Sequence, residues 1–331
     1  MKHTGHHALA AAIAAVLMCV PARAETLSVS PTPLSAFAPL DPARTRFGRL
    51  VFLAGSELAP DSRRFGGISS LDVSPDGTGL TAVTDLGDWI TARIETLPDG
   101  ALTLAGIEIE RMRDGDGEPM ASKQWSDAEG ISPVPGRPGV YQVSFERRNR
   151  IWQYDIGRGG LAARPRDVPV PDGIRGLPDN KGVEALAVLP QDSPLGAATI
   201  AFAENPVDGY LEGFIVGGRA LGRFRVRAYE DFDVTDAALD PAGNIVILER
   251  YFSILTGPKM ALHRIRVADI ADGATIYPEL LMDADVAVEI DNMEALGIHT
   301  DAQGRTILTI MSDNNFTRLQ RNLLLRFELV D

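Results

Sequence analysis

The chain has 331 residues and a formal charge of −13, from 45 acidic residues against 32 Lys and Arg, with five histidines and one cysteine. Lys2, the apolar run from Ala8 to Val20 and the closing Ala22-Arg23-Ala24 read as a signal peptide over residues 1–24. Its removal takes the only cysteine and three histidines, which excludes disulfides and thiolate metal sites, and the acidic balance argues against a nucleic-acid partner.

The apolar run falls short of the roughly 20 residues a membrane-spanning helix needs, and no later segment exceeds it. The mature chain is therefore expected off the membrane, periplasmic or secreted. Residues 25–45 read as an N-terminal linker and 46–331 as a single domain. The sequence leaves the oligomeric state open.

Within that domain one unit recurs: an acid, small residues, a short apolar strand, a turn rich in Pro, Asp and Gly, a second strand, and another acid. The first copy runs from Gly66-Gly67-Ile68 through Ser74-Pro75-Asp76-Gly77 to Thr84-Asp85. The second opens at Asp127-Ala128-Glu129-Gly130-Ile131 and reaches Phe145-Glu146. The third goes from Val183-Glu184-Ala185 to Ala203-Glu204, and the fourth from Thr235-Asp236-Ala237 to Leu248-Glu249. The fifth goes from Met293-Glu294-Ala295 to Ser312-Asp313.

A period near 55 residues fits four strands and their turns, so the class is all-β and the architecture a β-propeller of five blades by repeat count. The insertions at 111–126 and 165–182 leave room for a sixth. The last unit is short, while Arg49-Leu50-Val51-Phe52-Leu53 is an unmatched strand before the first unit. The ring is predicted to close by lending that N-terminal strand to the last blade.

The start of a first strand and the end of a second lie at the same face of a propeller. That places Glu129, Glu184, Asp236 and Glu294 beside Asp85, Glu146, Glu204, Glu249 and Asp313, with Gly66 the one non-acidic position of ten. Carboxylates so crowded raise one another's pKa or bind cations, and hard oxygen-seeking Ca²⁺ suits them best. Asp85, Glu129, Glu184, Glu204, Glu294 and Asp313 are the candidate ligands, with Asn314 as a neutral oxygen donor. Asn180, Asn205 and Asn315 lie nearby in sequence. Glu146 and Glu249 are candidate bases, and Arg147 and Arg250, each directly after one of them, are candidate anion clamps or ion-pair partners. The loop Arg113-Asp114-Gly115-Asp116-Gly117-Glu118-Pro119 lacks EF-hand spacing and reads as a mouth loop giving one ligand or none. His263 and His299 read as structural, since no Ser-His-Asp arrangement surrounds them.

Asp127-Ala128-Glu129-Gly130-Ile131, Asn180-Lys181-Gly182-Val183-Glu184-Ala185-Leu186, Leu248-Glu249-Arg250 and Ser312-Asp313-Asn314-Asn315-Phe316, in that order, resemble the esterase-like phytase family over about residues 46–330. The resemblance implies a propeller, export, and kinship with calcium-dependent phytases that cleave phosphomonoesters at an acidic, Ca²⁺-filled mouth; phytase propellers have six blades where the repeat gives five. Two functions are expected from these readings. One is a Ca²⁺-dependent hydrolase of a small anionic phosphate or carboxylate ester. The other is a periplasmic binding or scaffold propeller with a structural cation.

Overall fold

The computed structural model describes residues 24–219 and 221–330. The signal peptide expected over 1–24 therefore lies outside the described residues, apart from its last residue. Five sheets stand around one axis. From the axis outward, blade 1 comprises Ile68–Val73, Gly79–Thr84, Asp88–Thr96 and Leu102–Arg111, and blade 2 Ala128–Pro133, Val140–Phe145, Arg150–Asp155 and Arg166–Val168. Blade 3 is Val183–Val188, Ala198–Ala203, Tyr210–Gly217 and Gly222–Arg227, and blade 4 Asp233–Leu239, Ile245–Ser253, Gly257–Ile265 and Glu279–Ala284. Blade 5 is Met293–Thr300, Thr306–Ser312, Leu323–Leu329 and the N-terminal strand Leu50–Pro60.

The turns between first and second strands follow from their sequence. Gly77, Gly243 and Gly304 take φ of 74°, 80° and 80°, open to glycine at no steric cost. In each turn an aspartate accepts backbone N–H groups of the loop: Asp76 from Thr78, Asp240 from Asn244, and Asp301 from Gln303 and Arg305.

There is no single core. Five apolar clusters lie one between each pair of adjacent blades. Ile200, Phe202 and Phe224 of blade 3 meet Ile245 and Ile247 of blade 4, for example, and Trp89 of blade 1 meets Val143 and Tyr154 of blade 2. Each buried aliphatic or aromatic side chain contributes about 1.5–3 kcal/mol, so every blade is held chiefly by its two neighbours.

Closure is as expected, with Leu50–Pro60 paired antiparallel to Leu323–Leu329. Residues 25–45 are more than a linker. Glu25–Leu27 pairs with the outer strand of blade 1, and Val29–Pro33 pairs with Leu50–Pro60 on blade 5. The segment reaches both because these two blades are neighbours in the ring, and its extended backbone supplies the edge hydrogen bonds each lacks. Among the described residues no sixth sheet forms: residues 111–126 end in the short helix Lys123–Ser126, and 165–182 hold Arg166–Val168 and the helix Asp172–Arg175. No helix among the described residues is long and apolar enough to cross a membrane.

Candidate metal centre

The site originates in a defect repeated in every blade. Each inner strand carries a β-bulge near its start, where the ladder to the second strand slips by one residue, at Ser69, Glu129, Glu184, Thr235 and Glu294 in turn. A bulge re-aims its extra side chain, and here the extra residues of blades 2, 3 and 5 are glutamates lining the mouth. One residue beyond the second strand stand Asp85, Glu146, Glu204 and Asp313, also in the mouth lining. In blade 4 that position is Arg250, paired in register with Asp233.

Blade 4 thus overturns part of the sequence reading. Glu249 pairs with Val234, one residue short of the mouth, and lies on the sheet face that Ile245 and Ile247 use against blade 3. There its carboxylate hydrogen-bonds buried His263, so the reading of Glu249 as a mouth base is incorrect. Asp236 is likewise one residue past the bulge, where the other blades carry Ser70, Gly130, Ala185 and Ala295. It is fully buried. Its Oδ1 accepts Ser70 Oγ and the Ala237 N–H, both at 2.8 Å, and its Oδ2 accepts the N–H of Leu296 at 2.7 Å and of Leu71 at 3.4 Å. Ser70 Oγ in turn accepts the Ile131 N–H at 3.0 Å, so one polar knot joins blades 1, 2, 4 and 5 at the axis. Gly130 lets the inner strand of blade 3 come close to that of blade 2, since a Cβ there would come within 2.6 Å of Glu184 O. Beyond the knot, at the opposite end, lies a mostly apolar pocket bounded by Leu71, Ile131, Val188 and Leu296.

The mouth is a cavity of about 220 Å³ lined by eight carboxylates (Asp85, Asp127, Glu129, Glu146, Glu184, Glu204, Glu294 and Asp313) against Lys123, Arg147 and Arg250. Three are partly neutralised: Lys123 Nζ lies 2.7 Å from Asp85 and 3.4 Å from Asp127, Arg147 Nε also binds Asp127, and Arg250 Nε is 3.4 Å from Glu294. Two latch neighbouring blades. Glu146 Oε1 accepts the Gly182 N–H at 2.6 Å, and Asp313 Oδ1 those of Gly67 and Ile68 at 2.6 and 3.2 Å. Arg250 donates to Asn292 Oδ1 at 2.8 Å, and Asn292 donates to Glu294 at 2.7 Å.

Crowding shows in the protonation equilibria. Burial, then the charges of Asp127 and Glu146, hold Glu129 well above the ordinary carboxylate range; burial and Glu129 do the same to Glu184. Burial with Asp233 and Glu146 raises Glu204 to about 7. Burial also raises Glu294 to about 7 against the pull of Arg250, and Asp313 to about 6 against its N–H donors. A cation would relieve that repulsion, and the geometry offers two places. Asp127, Glu129 and Glu146 bring one oxygen each within 4.8 Å of one another, as do Glu146, Glu184 and Glu204. The donors are all oxygen, which suits Ca²⁺ or Mg²⁺ rather than zinc or copper.

Of the residues expected as ligands, Glu129, Glu184 and Glu204 stand in these triads, while Asp85, Glu294 and Asp313 line the same mouth outside them. Asn314 does not line the mouth. Asn315 and Phe316 take φ of 47° and 54°, the chain reverses, Asn314 Oδ1 caps the Phe316 N–H, and Asn315 reaches the mouth instead. Asn180 lines it too, whereas Asn205 turns to Asp233. The loop at 113–119 closes on itself through Asp114 and is not among the mouth-lining residues. Asp127 and Lys123 line the mouth from outside the repeat of acids; the sequence signal for them is Asp127 directly preceding Ala128-Glu129-Gly130, the start of the second blade.

Fold and site together define a five-bladed propeller with an acidic mouth. The family described as phytase-like, esterase-like activity of phytase, matches residues 63–316, and the chain belongs to it. No match is found among curated proteins. Among solved structures, the PQQ-bound aldose sugar dehydrogenase of Streptomyces coelicolor is 14% identical, with a TM-score of 0.42 over 80% of this chain and 94% of that one. A protein of unknown function from Dyadobacter fermentans is 13% identical at a TM-score of 0.38, over 92% and 95%. A chain of the mitotic checkpoint complex is 10% identical at a TM-score of 0.40, over the whole of both chains. At these TM-scores the likenesses carry no argument about chemistry.

Proposed function

We propose that the chain is an exported hydrolase of phosphate or carboxylate esters that works with Ca²⁺ at the mouth of the propeller. The observation carrying this reading is the pair of carboxylate triads sharing Glu146 in a mouth with five more carboxylates than cations. Asp127, Glu129, Glu146, Glu184 and Glu204 would hold the ions. Bound there, Ca²⁺ supplies polarisation of the ester and a lowered pKa of a water molecule.

The protein's own groups divide the remaining tasks. Glu294 lines the mouth outside both triads, where a carboxylate not taken up by an ion can serve as general base. Arg250 is held by Asn292 and Glu294 in blade 4, which among the described residues lends the mouth no acid, and its planar guanidinium orients the anionic group of the substrate. Arg147 is tied to Asp127 through Nε and positions that carboxylate. Burial of the site keeps these charges strong.

A second reading, a periplasmic binding or scaffold propeller stiffened by a structural cation, draws on the latches, since Glu146 and Asp313 already bind backbone N–H groups of the next blade. One comparison separates the two: the calcium-loaded protein and its Glu146→Gln variant on a panel of phosphate and carboxylate esters. Turnover by the first and not the second supports the hydrolase. Equal, background rates from both, with Ca²⁺ still raising the melting temperature, favour the scaffold.

A further inference from the structure

Blade 4 departs from the others in a second respect. In blades 1, 2, 3 and 5 the second strand ends just before the mouth carboxylate, at Thr84, Phe145, Ala203 and Ser312. In blade 4 it continues past Arg250 through Tyr251 and Phe252 to Ser253, and the returning strand starts at Gly257. The hairpin projects beyond the mouth rim with Phe252 66% exposed and Ile254 and Leu255 over 90%. Large apolar side chains clustered in water mark a surface that meets something apolar.

The hairpin is braced: Tyr251 stacks on Phe232 with ring centroids 5.6 Å apart, and Lys259 Nζ lies 5.5 Å from the Tyr251 ring. Facing it is the loop after Asp313, with Leu319 94% exposed. That loop holds Asn315 and Phe316 in left-handed backbone, which non-glycine residues keep only where their surroundings impose it. Between hairpin and loop runs a groove of about 490 Å³, within the roughly 300–1,000 Å³ of small-molecule sites. Tyr251, Phe252, Pro258 and Leu319 wall it, and Arg250 and Asn315 line both groove and mouth.

The geometry points to this groove as the subsite for the aromatic group of an aryl phosphomonoester whose phosphate sits at Arg250 and the carboxylate mouth. The inference rests on the ester-hydrolase reading above. Two facts select the occupant. The groove carries two flat rings, Tyr251 and Phe252, with Pro258 and Leu319 completing an apolar wall against which an aromatic ring packs, while the mouth is lined almost wholly by charged and polar groups. Arg250 stands where groove and mouth meet, and the planar fork of its guanidinium matches the oxygens of a phosphate monoester better than a neutral carboxylate ester. In the reaction, the oxygen of water bonds to phosphorus as the bond from phosphorus to the aryl oxygen breaks. The departing aryloxide takes up a proton, and the products are a phenol and inorganic phosphate.

The test uses the mature chain with Ca²⁺ and two non-hydrolysable probes, methylphosphonate and 1-naphthylmethylphosphonate, followed by phosphorus NMR titration. The naphthyl probe is expected to bind roughly tenfold more tightly, about 1.4 kcal/mol. Phe252→Ser with Leu319→Ser, both at exposed positions and checked for an unchanged melting temperature, should abolish that advantage and leave methylphosphonate affinity in place. Equal affinity for the two probes, or an advantage that survives both substitutions, overturns the groove and leaves the mouth reading standing. Failure of calcium-loaded protein to bind methylphosphonate overturns both.

Discussion

Blade 4 and blade 5 are built on the same ladder, with the same bulge and nearly the same string of acids, and they put those acids to opposite uses. In blade 5, Glu294 at the bulge and Asp313 after the second strand both face the mouth. In blade 4 the acids come one residue out of step, so Asp236 enters the axis and Glu249 enters the space between blades. A one-residue offset in a strand moves a side chain to the other face. The same chemical group is a candidate ligand in one blade and a structural anchor in the next.

The strongest way to break this contrast is Asp236→Ala, which leaves three backbone N–H groups and the Ser70 hydroxyl without their acceptor at the axis. Unfolding in denaturant with EDTA present should show a loss of about 3 kcal/mol or more; a loss under about 1 kcal/mol would mean that the knot does not hold the ring. Next comes a matched pair. Glu146→Gln should weaken Ca²⁺ binding by at least the roughly 10–100-fold typical of losing even a ligand-orienting contact. Glu249→Gln should cost about 1–3 kcal/mol of stability through its bond to His263 and leave Ca²⁺ affinity unchanged. Calorimetric titration of both variants reads the difference, and equal effects on calcium would erase the distinction between the blades.

A third expectation follows from protonation. Glu204 and Glu294 titrate near 7 and Asp313 near 6 in the folded chain, above their unfolded values, so the metal-free fold binds more protons than the unfolded chain between about pH 4 and 7. Its stability is therefore present at the acid end and falls as pH rises through that window. Ca²⁺ competes with those protons, so the rise in melting temperature on adding it should be large at pH 7.5 and small at pH 5. A shift independent of pH would place the ion elsewhere. The smallest effect is expected for Asp85→Asn, which removes a partly exposed ion pair with Lys123 outside both triads: under about 1 kcal/mol by thermal unfolding, with calcium affinity changed little.

Much of the ring was legible because the repeat recurs in apolar residues as well as acids, and because an unmatched strand at one end and a short unit at the other imply closure. The site was legible where acid and apolar positions keep step, as in Val183-Glu184-Ala185-Leu186 and Met293-Glu294-Ala295-Leu296. It failed at Val234-Thr235-Asp236-Ala237, where aligning on the acid hides that Val234 is the residue matching Val183 and Met293. Apolar side chains fix the register because they fill the clusters between blades, and the acids follow wherever that register carries them. Asn314 failed for another reason: left-handed backbone at Asn315 and Phe316 reverses the chain, and no glycine stands there to announce the turn.

The seam of the last blade also sets a timetable. Blades 1 to 4 draw their four main strands from consecutive stretches of chain, but blade 5 sets Leu50–Pro60 beside Leu323–Leu329, more than 260 residues apart in sequence. During synthesis the early strand waits, with an open edge, for Leu323–Leu329 to arrive, and pairing across so much sequence is slow. Removing either Leu50–Pro60 or Leu323–Leu329 therefore opens the ring instead of producing a smaller one. The mouth, whose Asp313 latches the first blade to the fifth, can be completed only after that final pairing.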